Sequence, residues 1–180
     1  MYFETIKCED EEVFNLDYHK QRIARTIGLN IDLQEYVYPP SKELLKCKIT
    51  YSKTGIADVT YTPYKKRNIS KLKLVYDDHI IYDKKSTNRD DIDKLYRLKG
   101  GCDDIIIVKN GLITDTSIAN IAIKLNDVWY TPKKPLLYGT TRARFIHDGK
   151  IHEKDLTIDD YNRASNVALL NAMIGFNIIS

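Results

Sequence analysis

Leu45, Cys47, Ile49 and Tyr51 alternate with Lys46, Lys48 and Thr50. That period of two predicts a strand with one buried face and one wet face. Residues 56–64 and 71–75 predict two further strands, separated by the charged turn Lys65-Lys66-Arg67-Asn68. Residues 2–7 predict a strand at the start of the chain, with Val13-Phe14-Asn15-Leu16 returning onto it across Glu9-Asp10-Glu11. Asp17 is placed to cap a helix over residues 18–27, which Gly28 stops. Tyr18, Arg22 and Arg25 are three or four residues apart and share one helix face. A second helix is expected from about Asp32, ended by Pro39-Pro40. The first half therefore reads as a small α+β lobe.

The second half has a different texture. The polar stretch after Lys85 predicts a helix running to Gly100-Gly101, and residues 104–108 are apolar and β-branched. Asn110-Gly111 is a strong hairpin signal. Residues 118–125 return, Asn126-Asp127 turns again, and Val128-Trp129-Tyr130-Thr131 completes a meander. Pro132 and Pro135 bracket a loop into Gly139-Thr140-Thr141, which opens a helix ending near Gly149. A last helix over residues 158–163 feeds a buried strand at 166–170, then Asn171-Ala172-Met173.

Composition narrows the function classes. The chain has 180 residues, enough for one domain or two small lobes. Its 28 basic and 25 acidic side chains leave +3, with the lysines scattered, which points away from nucleic acid. The 13 tyrosines lie mostly in strand-like runs, where tyrosine is favoured anyway. Cys8, Cys47 and Cys102 are odd in number and far apart, so reduced thiols in a cytoplasmic protein are expected. His19, His79, His147 and His152 are dispersed, and no metal site is expected. No secretory signal or membrane-spanning run is read in the chain.

The candidate chemistry centres on Tyr82-Asp83-Lys84-Lys85-Ser86-Thr87-Asn88-Arg89. A lysine beside hydroxyls and an amide suits either a Schiff-base site or a solvated turn. If the segment is extended, Lys84 and Lys85 point to opposite faces, so only one can enter a site. A lysine-bound pyridoxal phosphate needs three further things: a phosphate clamp, an acid for the ring nitrogen and a surface for substrate carboxylates. Arg22 can clamp phosphate with parallel hydrogen bonds, although a solvated helix arginine is the commoner fate of such residues. Gly139-Thr140-Thr141 at a helix start offers amides and hydroxyls to an anion, or is an ordinary cap. Asp115 in Thr114-Asp115-Thr116-Ser117 can protonate a pyridine, or close a local turn.

Taken in order, these pieces resemble the class IV aminotransferase family, the fold-type IV pyridoxal phosphate enzymes. The matching stretches begin with Phe3-Glu4-Thr5-Ile6, Tyr18-His19-Lys20-Gln21-Arg22-Ile23 and Lys85-Ser86-Thr87-Asn88-Arg89. They continue through the run from Asn110-Gly111 to Asn120-Ile121, Thr131-Pro132, Gly139-Thr140-Thr141-Arg142 and Leu170-Asn171-Ala172-Met173-Ile174-Gly175. The resemblance implies a two-lobed α+β fold like that of D-amino-acid aminotransferase. Residues 1–82 would form the α/β sandwich lobe and 83–180 the mostly β, cofactor-binding lobe. It makes Lys85, rather than Lys84, the aldimine lysine. It places Arg22, Ser117, Thr140, Thr141, Asn171 and Ala172 around pyridoxal 5'-phosphate, with Asp115 on the ring nitrogen. Aspartate stands there where glutamate is more usual, one methylene shorter. The match starts at the family's Phe-Glu-Thr strand, so the substrate contacts that upstream strands usually supply are not expected here. A homodimer and a small-molecule substrate are implied as well.

Within that family the Lys-Ser-Thr-Asn-Arg form and the Thr5 hydroxyl lean toward 4-amino-4-deoxychorismate lyase. That enzyme eliminates pyruvate to leave 4-aminobenzoate for folate synthesis. An aminotransferase of D-amino or branched-chain amino acids is the alternative, and a non-catalytic binding protein the third reading. Thr5 and Lys85 are the expected catalytic residues.

Overall fold

The alternation at residues 45–51 becomes strand β3 (Leu45–Ser52), in which buried and more open residues take turns. The computed structural model describes residues 1–179, so Ser180, the last residue of the second expected lobe, lies outside the described residues. Residues 1–66 with 84–88 form one compact unit, and residues 67–83 with those from 89 onward form a second. The sequence reading divides the chain once, after residue 82, whereas the packing divides it more than once.

In the first unit, β1 (Tyr2–Glu9) and β2 (Glu12–Val13) join β3 and β4 (Gly55–Pro63) in the order β2-β1-β3-β4. Every pairing is antiparallel. Ile6, Cys8, Cys47, Ile49 and Tyr51 lie in the core of this unit, with Ile23 and Leu33 packed among them. Each fully buried isoleucine contributes roughly 1.5–3 kcal/mol of transfer free energy.

Helix α1 (Leu16–Ile27) buries His19, Arg22 and Ile23. Arg22 therefore shares its inward face with His19 and Ile23, while Arg25 is exposed. Gly28 ends the helix at φ 77°, donating to the Ala24 carbonyl, as its sequence position suggests. The start differs from expectation. Asn15 is the N-cap, in the left-handed region at φ 56°, and makes no side-chain capping bond. Asparagine tolerates that conformation, and Asp17 instead sits in the first turn, where its charge favours the helix dipole. The second helix reduces to a single 3-10 turn, Leu33–Glu35, with the Asp32 carboxylate accepting from the Gln34 amide. The few residues between Asp32 and Pro39 are too short to repay helix nucleation.

The second unit is built on a sheet with the path β10-β9-β8-β7-β6-β5. Its strands are β5 (Leu72–Tyr76), β6 (Asp104–Lys109), β7 (Leu112–Thr116), β8 (Asn120–Leu125), β9 (Val128–Pro132) and β10 (His152–Lys154). Strand β11 (Asn166–Asn171) pairs with β8 and with β12 (Gly175–Ile179). β5 runs parallel to β6, and that pairing draws residues 67–83 into this unit. β6 is buried from Asp104 to Val108, which explains its unbroken apolar run: both faces are covered. Ile106 packs with Ile113, Ile121 and Leu169, whereas Ile105 and Ile107 pack with Val75, Ile92 and Leu136. Asn110 and Gly111 both have positive φ, 50° and 75°, as a two-residue hairpin requires.

Among the described residues, three α-helices complete the unit, α2 (Asp90–Tyr96), α3 (Thr140–His147) and α4 (Ile158–Arg163), with a 3-10 turn at Arg97–Lys99 continuing α2 toward Gly100. α4 is opened by a capping box in which Thr157 and Asp160 bond each other's backbone amides. Among the described residues, no helix is long and apolar enough to cross a membrane.

Candidate active site

Lys85 is fixed from both sides of its own backbone. The Ser86 amide donates to the Lys84 carbonyl at 2.7 Å, folding the chain tightly about Lys85. The Phe3 amide then donates to the Lys85 carbonyl at 2.9 Å, and Tyr2 bridges to Ser86. The Thr87 amide and hydroxyl both donate to the Met1 carbonyl. The start of β1 thus holds the lysine segment in place. The two lysines differ in setting, through this turn rather than through an extended strand: Lys84 is exposed and lies 5.9 Å from the Tyr2 ring centroid, whereas Lys85 is half-buried and lies 4.5 Å from that of Phe3. Thr5, two residues on from Phe3, is half-buried and pairs with Lys48, whose ammonium lies 5.4 Å from the Phe3 ring centroid.

Behind this face of β1 is a cluster that the sequence reading missed. Glu4 is fully buried. Arg22 donates to it from Nε at 2.8 Å and from Nη2, and His19 Nδ1 lies 2.6 Å from the same carboxylate. Burial alone would push the Glu4 carboxyl up, but the Arg22 charge and the bonds from His19 and Arg22 outweigh it and hold it at about 2. Burial keeps His19 below its ordinary value in spite of Glu4, so the ring is neutral at pH 7. One carboxylate and one guanidinium therefore balance inside the unit, and the His19 Nε2 atom is left without a hydrogen-bond partner. The signal was available: Glu4 stands at an inward position of β1, in step with Ile6 and Cys8, and a buried charge needs a partner.

Asp115 lies in β7 directly opposite Asn120 of β8. Its Oδ1 accepts from Asn120 Nδ2 at 2.7 Å and its Oδ2 from the Leu137 amide at 2.8 Å. Burial pushes its carboxyl up to about 6, against those two bonds and the Arg142 charge. Such a group is poised to change protonation when a cation or a basic nitrogen arrives. Asn120, named in the matching stretch of the sequence but given no role there, donates from the same amide nitrogen to the Leu137 carbonyl at 2.8 Å.

Gly139 precedes α3 as its N-cap. It carries no side chain to accept from the first-turn amides, and buried Thr140 and Thr141 follow it. Unsatisfied amides at a helix start, with hydroxyls alongside, fit a phosphate. Within the second unit, a buried acid and an anion seat are groups of the kind that suit a pyridine ring and its phosphate.

The remaining expected residues have local work. Thr116 closes a turn with Ala119 through backbone and hydroxyl bonds, which places buried Ser117 within that turn. The Ser117 carbonyl accepts from Arg89 Nη2 at 2.7 Å, so the last residue of the Lys-Ser-Thr-Asn-Arg run braces that turn. Asn171 uses its Oδ1 to accept from the Met173 and Ile174 amides and its Nδ2 to donate to the Ile118 carbonyl. Its side chain is thereby committed to the turn that contains Ala172. Among the described residues, no group of three or more His, Cys, Asp and Glu is placed to hold a metal ion.

The chain belongs to the class IV aminotransferase family: the model described as amino-transferase class IV matches residues 56–180. It is thus a member of a family of pyridoxal phosphate-dependent enzymes that includes lyases and transaminases. An uncharacterized Haemophilus influenzae protein is 31% identical over 96% of this chain and 97% of its own length. A Schizosaccharomyces pombe protein whose name proposes an aminodeoxychorismate lyase is 26% identical over 94% of this chain and 84% of its own. A crystal structure from Haemophilus somnus, proposed to be a 4-amino-4-deoxychorismate lyase, is 30% identical with a TM-score of 0.84, covering 97% of this chain and 96% of that one.

Proposed function

We propose that this protein is a pyridoxal phosphate-dependent 4-amino-4-deoxychorismate lyase, releasing pyruvate and 4-aminobenzoate from its substrate and so serving folate synthesis. The observation that carries the choice of reaction is the 30% identity to the Haemophilus somnus protein along nearly the whole of both chains. The residues that would hold the cofactor are Lys85 and Arg22 in the first unit and Asp115, Ser117, Thr140, Thr141, Asn171 and Ala172 in the second. Pyridoxal phosphate supplies an electron sink for the bonds around the substrate's amine-bearing carbon.

Lys85 Nζ is the amine that would take the cofactor and the base that would move the proton at the substrate's amine-bearing carbon. Its half-buried setting over Phe3, against the exposure of Lys84, supports that choice. Thr5 is the second residue assigned to catalysis, with its hydroxyl near the reacting centre. Arg22, which Glu4 holds through Nε and Nη2, is the guanidinium assigned to the phosphate in the first unit, and the amides and hydroxyls at the start of α3 are assigned to it in the second. The Asp115 carboxylate would keep the ring nitrogen protonated. From Asn171 and Ala172 a phosphate contact would come through the backbone, since the Asn171 side chain is already used. The enzyme is taken to work as a cytoplasmic homodimer, in keeping with three free cysteines and with the family.

The test is an absorption spectrum of the purified protein with added pyridoxal phosphate, followed by borohydride reduction, peptide mapping and assay. Reduction onto Lys85 with pyruvate release from aminodeoxychorismate is the expected result. Reduction onto Lys85 with amino-group transfer from D- or branched-chain amino acids would establish the aminotransferase instead. Absence of a visible band would remove the cofactor assignment altogether.

A further inference from the structure

Asn120 occupies an unusual junction in the second unit. It is buried and lies opposite Asp115 in the β7–β8 pairing. Its two amide hydrogens are both spent: one on Asp115 Oδ1 at 2.7 Å, the other on the Leu137 carbonyl at 2.8 Å. Two acceptors on one nitrogen define which way the amide points, since the flipped amide would set oxygen against oxygen. Its Oδ1 then lies against Gly139, where an added Cβ would come within 1.9 Å of it. The Leu137 amide returns to the other oxygen of Asp115 at 2.8 Å. Residues 137–139, which lead directly into Thr140 and Thr141, are therefore closed onto the acid by a ring of three hydrogen bonds and one close approach.

We propose that Asn120 is a positioning residue that locks the Asp115 carboxylate to the Gly139-Thr140-Thr141 turn, so that the acid for the ring nitrogen and the seat for the phosphate are held as one piece. The inference rests on the cofactor reading above and adds to it a residue that touches neither the substrate nor the reacting atoms. The physical need is clear. Asp115 is an aspartate, with a short reach, and a small error in the spacing between ring acid and phosphate seat would lose one contact or the other. A glycine at 139 is required because the asparagine oxygen fills the space a side chain would take. A buried asparagine that merely satisfied local backbone would tie Leu137 without coupling the acid to the turn.

Two measurements test this together. The first is the titration of the Asp115 carboxyl by carbon NMR in the unliganded protein, wild type against Asn120→Leu, which keeps the volume and removes both donors. An upward shift of about one pH unit is expected on loss of a hydrogen bond to the charged form, with Arg142 the neighbouring charge unchanged. No shift overturns the tie. The second is the pyridoxal phosphate dissociation constant across a cycle of Asn120→Ala, Gly139→Ala and the double variant.

Each single change should weaken binding by about tenfold, the equivalent of one lost hydrogen bond to a charged group. The double variant should bind no more weakly than Gly139→Ala, because the truncated residue no longer obstructs the added methyl. Losses that multiply overturn the proposal. Asn120→Asp, of the same shape, replaces the alanine where that variant does not fold, and should also raise the titration of the pair. A wild type that binds no cofactor overturns the positioning role along with the functional reading, while the Asp115 titration still reports separately whether the tie exists.

Discussion

Arg22 Nε and Nη2 donate to the two oxygens of Glu4, joining helix α1 to strand β1 inside the core of the first unit. The Glu4 side chain is fully buried and that of Arg22 is 9% exposed, so this is an ion pair removed from water rather than a surface contact. Removing either partner leaves the other as an uncompensated buried charge.

Glu4→Gln is therefore expected to destabilise the protein by about 3–5 kcal/mol, and Arg22→Ala by a similar amount. The double replacement Glu4→Leu with Arg22→Met should recover much of that loss, because no charge is left stranded. Urea unfolding of the three variants checks this. Equal losses in the single and double variants would show that the pair acts by some means other than charge compensation.

The same carboxylate makes the protein acid-sensitive. Glu4 is held at about 2 against an ordinary value of 4.5. Its stabilisation is fully present above the unfolded value and is lost as pH falls through 4.5 toward 2. The amount is on the order of 3 kcal/mol. Glu4→Gln should flatten that limb of the stability–pH curve, measured by thermal unfolding from pH 5 downward.

Asp115 works with the opposite sign. Its folded value of about 6 lies above the ordinary 3.8. Protonation is favoured in the folded state, so the stabilisation from this group is present below 3.8 and is lost as pH rises through 6. Unliganded wild-type protein should lose on the order of 3 kcal/mol across that window. In Asp115→Ala the slope should vanish, whatever the variant's absolute stability.

Lys84→Ala and Lys85→Ala separate function from folding. Lys85 contributes a contact with the Phe3 ring worth about 0.5–1 kcal/mol, too little to unfold the unit. Lys85→Ala should remain folded by circular dichroism while losing the cofactor band and turnover. Lys84→Ala should keep both, and loss of activity in that variant alone would move the assignment to Lys84.

Much of this protein was legible along the chain. The alternation at residues 45–51, the Asn110-Gly111 turn and the Gly28 stop all became the elements they predict, because each depends on local backbone preference or on a two-residue period. The motifs at Lys85, Asp115 and Gly139 pointed to the family for a similar reason: their order and residue types are properties of the sequence. Local rules failed where a partner was remote or a nearby competitor won. Asn15 displaced Asp17 as the helix cap because only the actual entry of the chain shows which residue must turn left-handed. β5 left the first lobe because its parallel partner begins some thirty residues later, a pairing no local period encodes.

Glu4 could be seen to face inward, but not that His19 and Arg22, 15 and 18 residues away, would surround it. Asn120 fell inside the strand expected over residues 118–125 and inside the stretch that resembles the family, with no role of its own. Only the closure of residues 137–139 onto β7 and β8 made it the joint between acid and turn. Residue type and period thus determined the elements and named the chemistry. The tertiary structure decided which buried polar groups meet, since hydrogen bonds and ion pairs between distant residues depend on packing that no single segment contains.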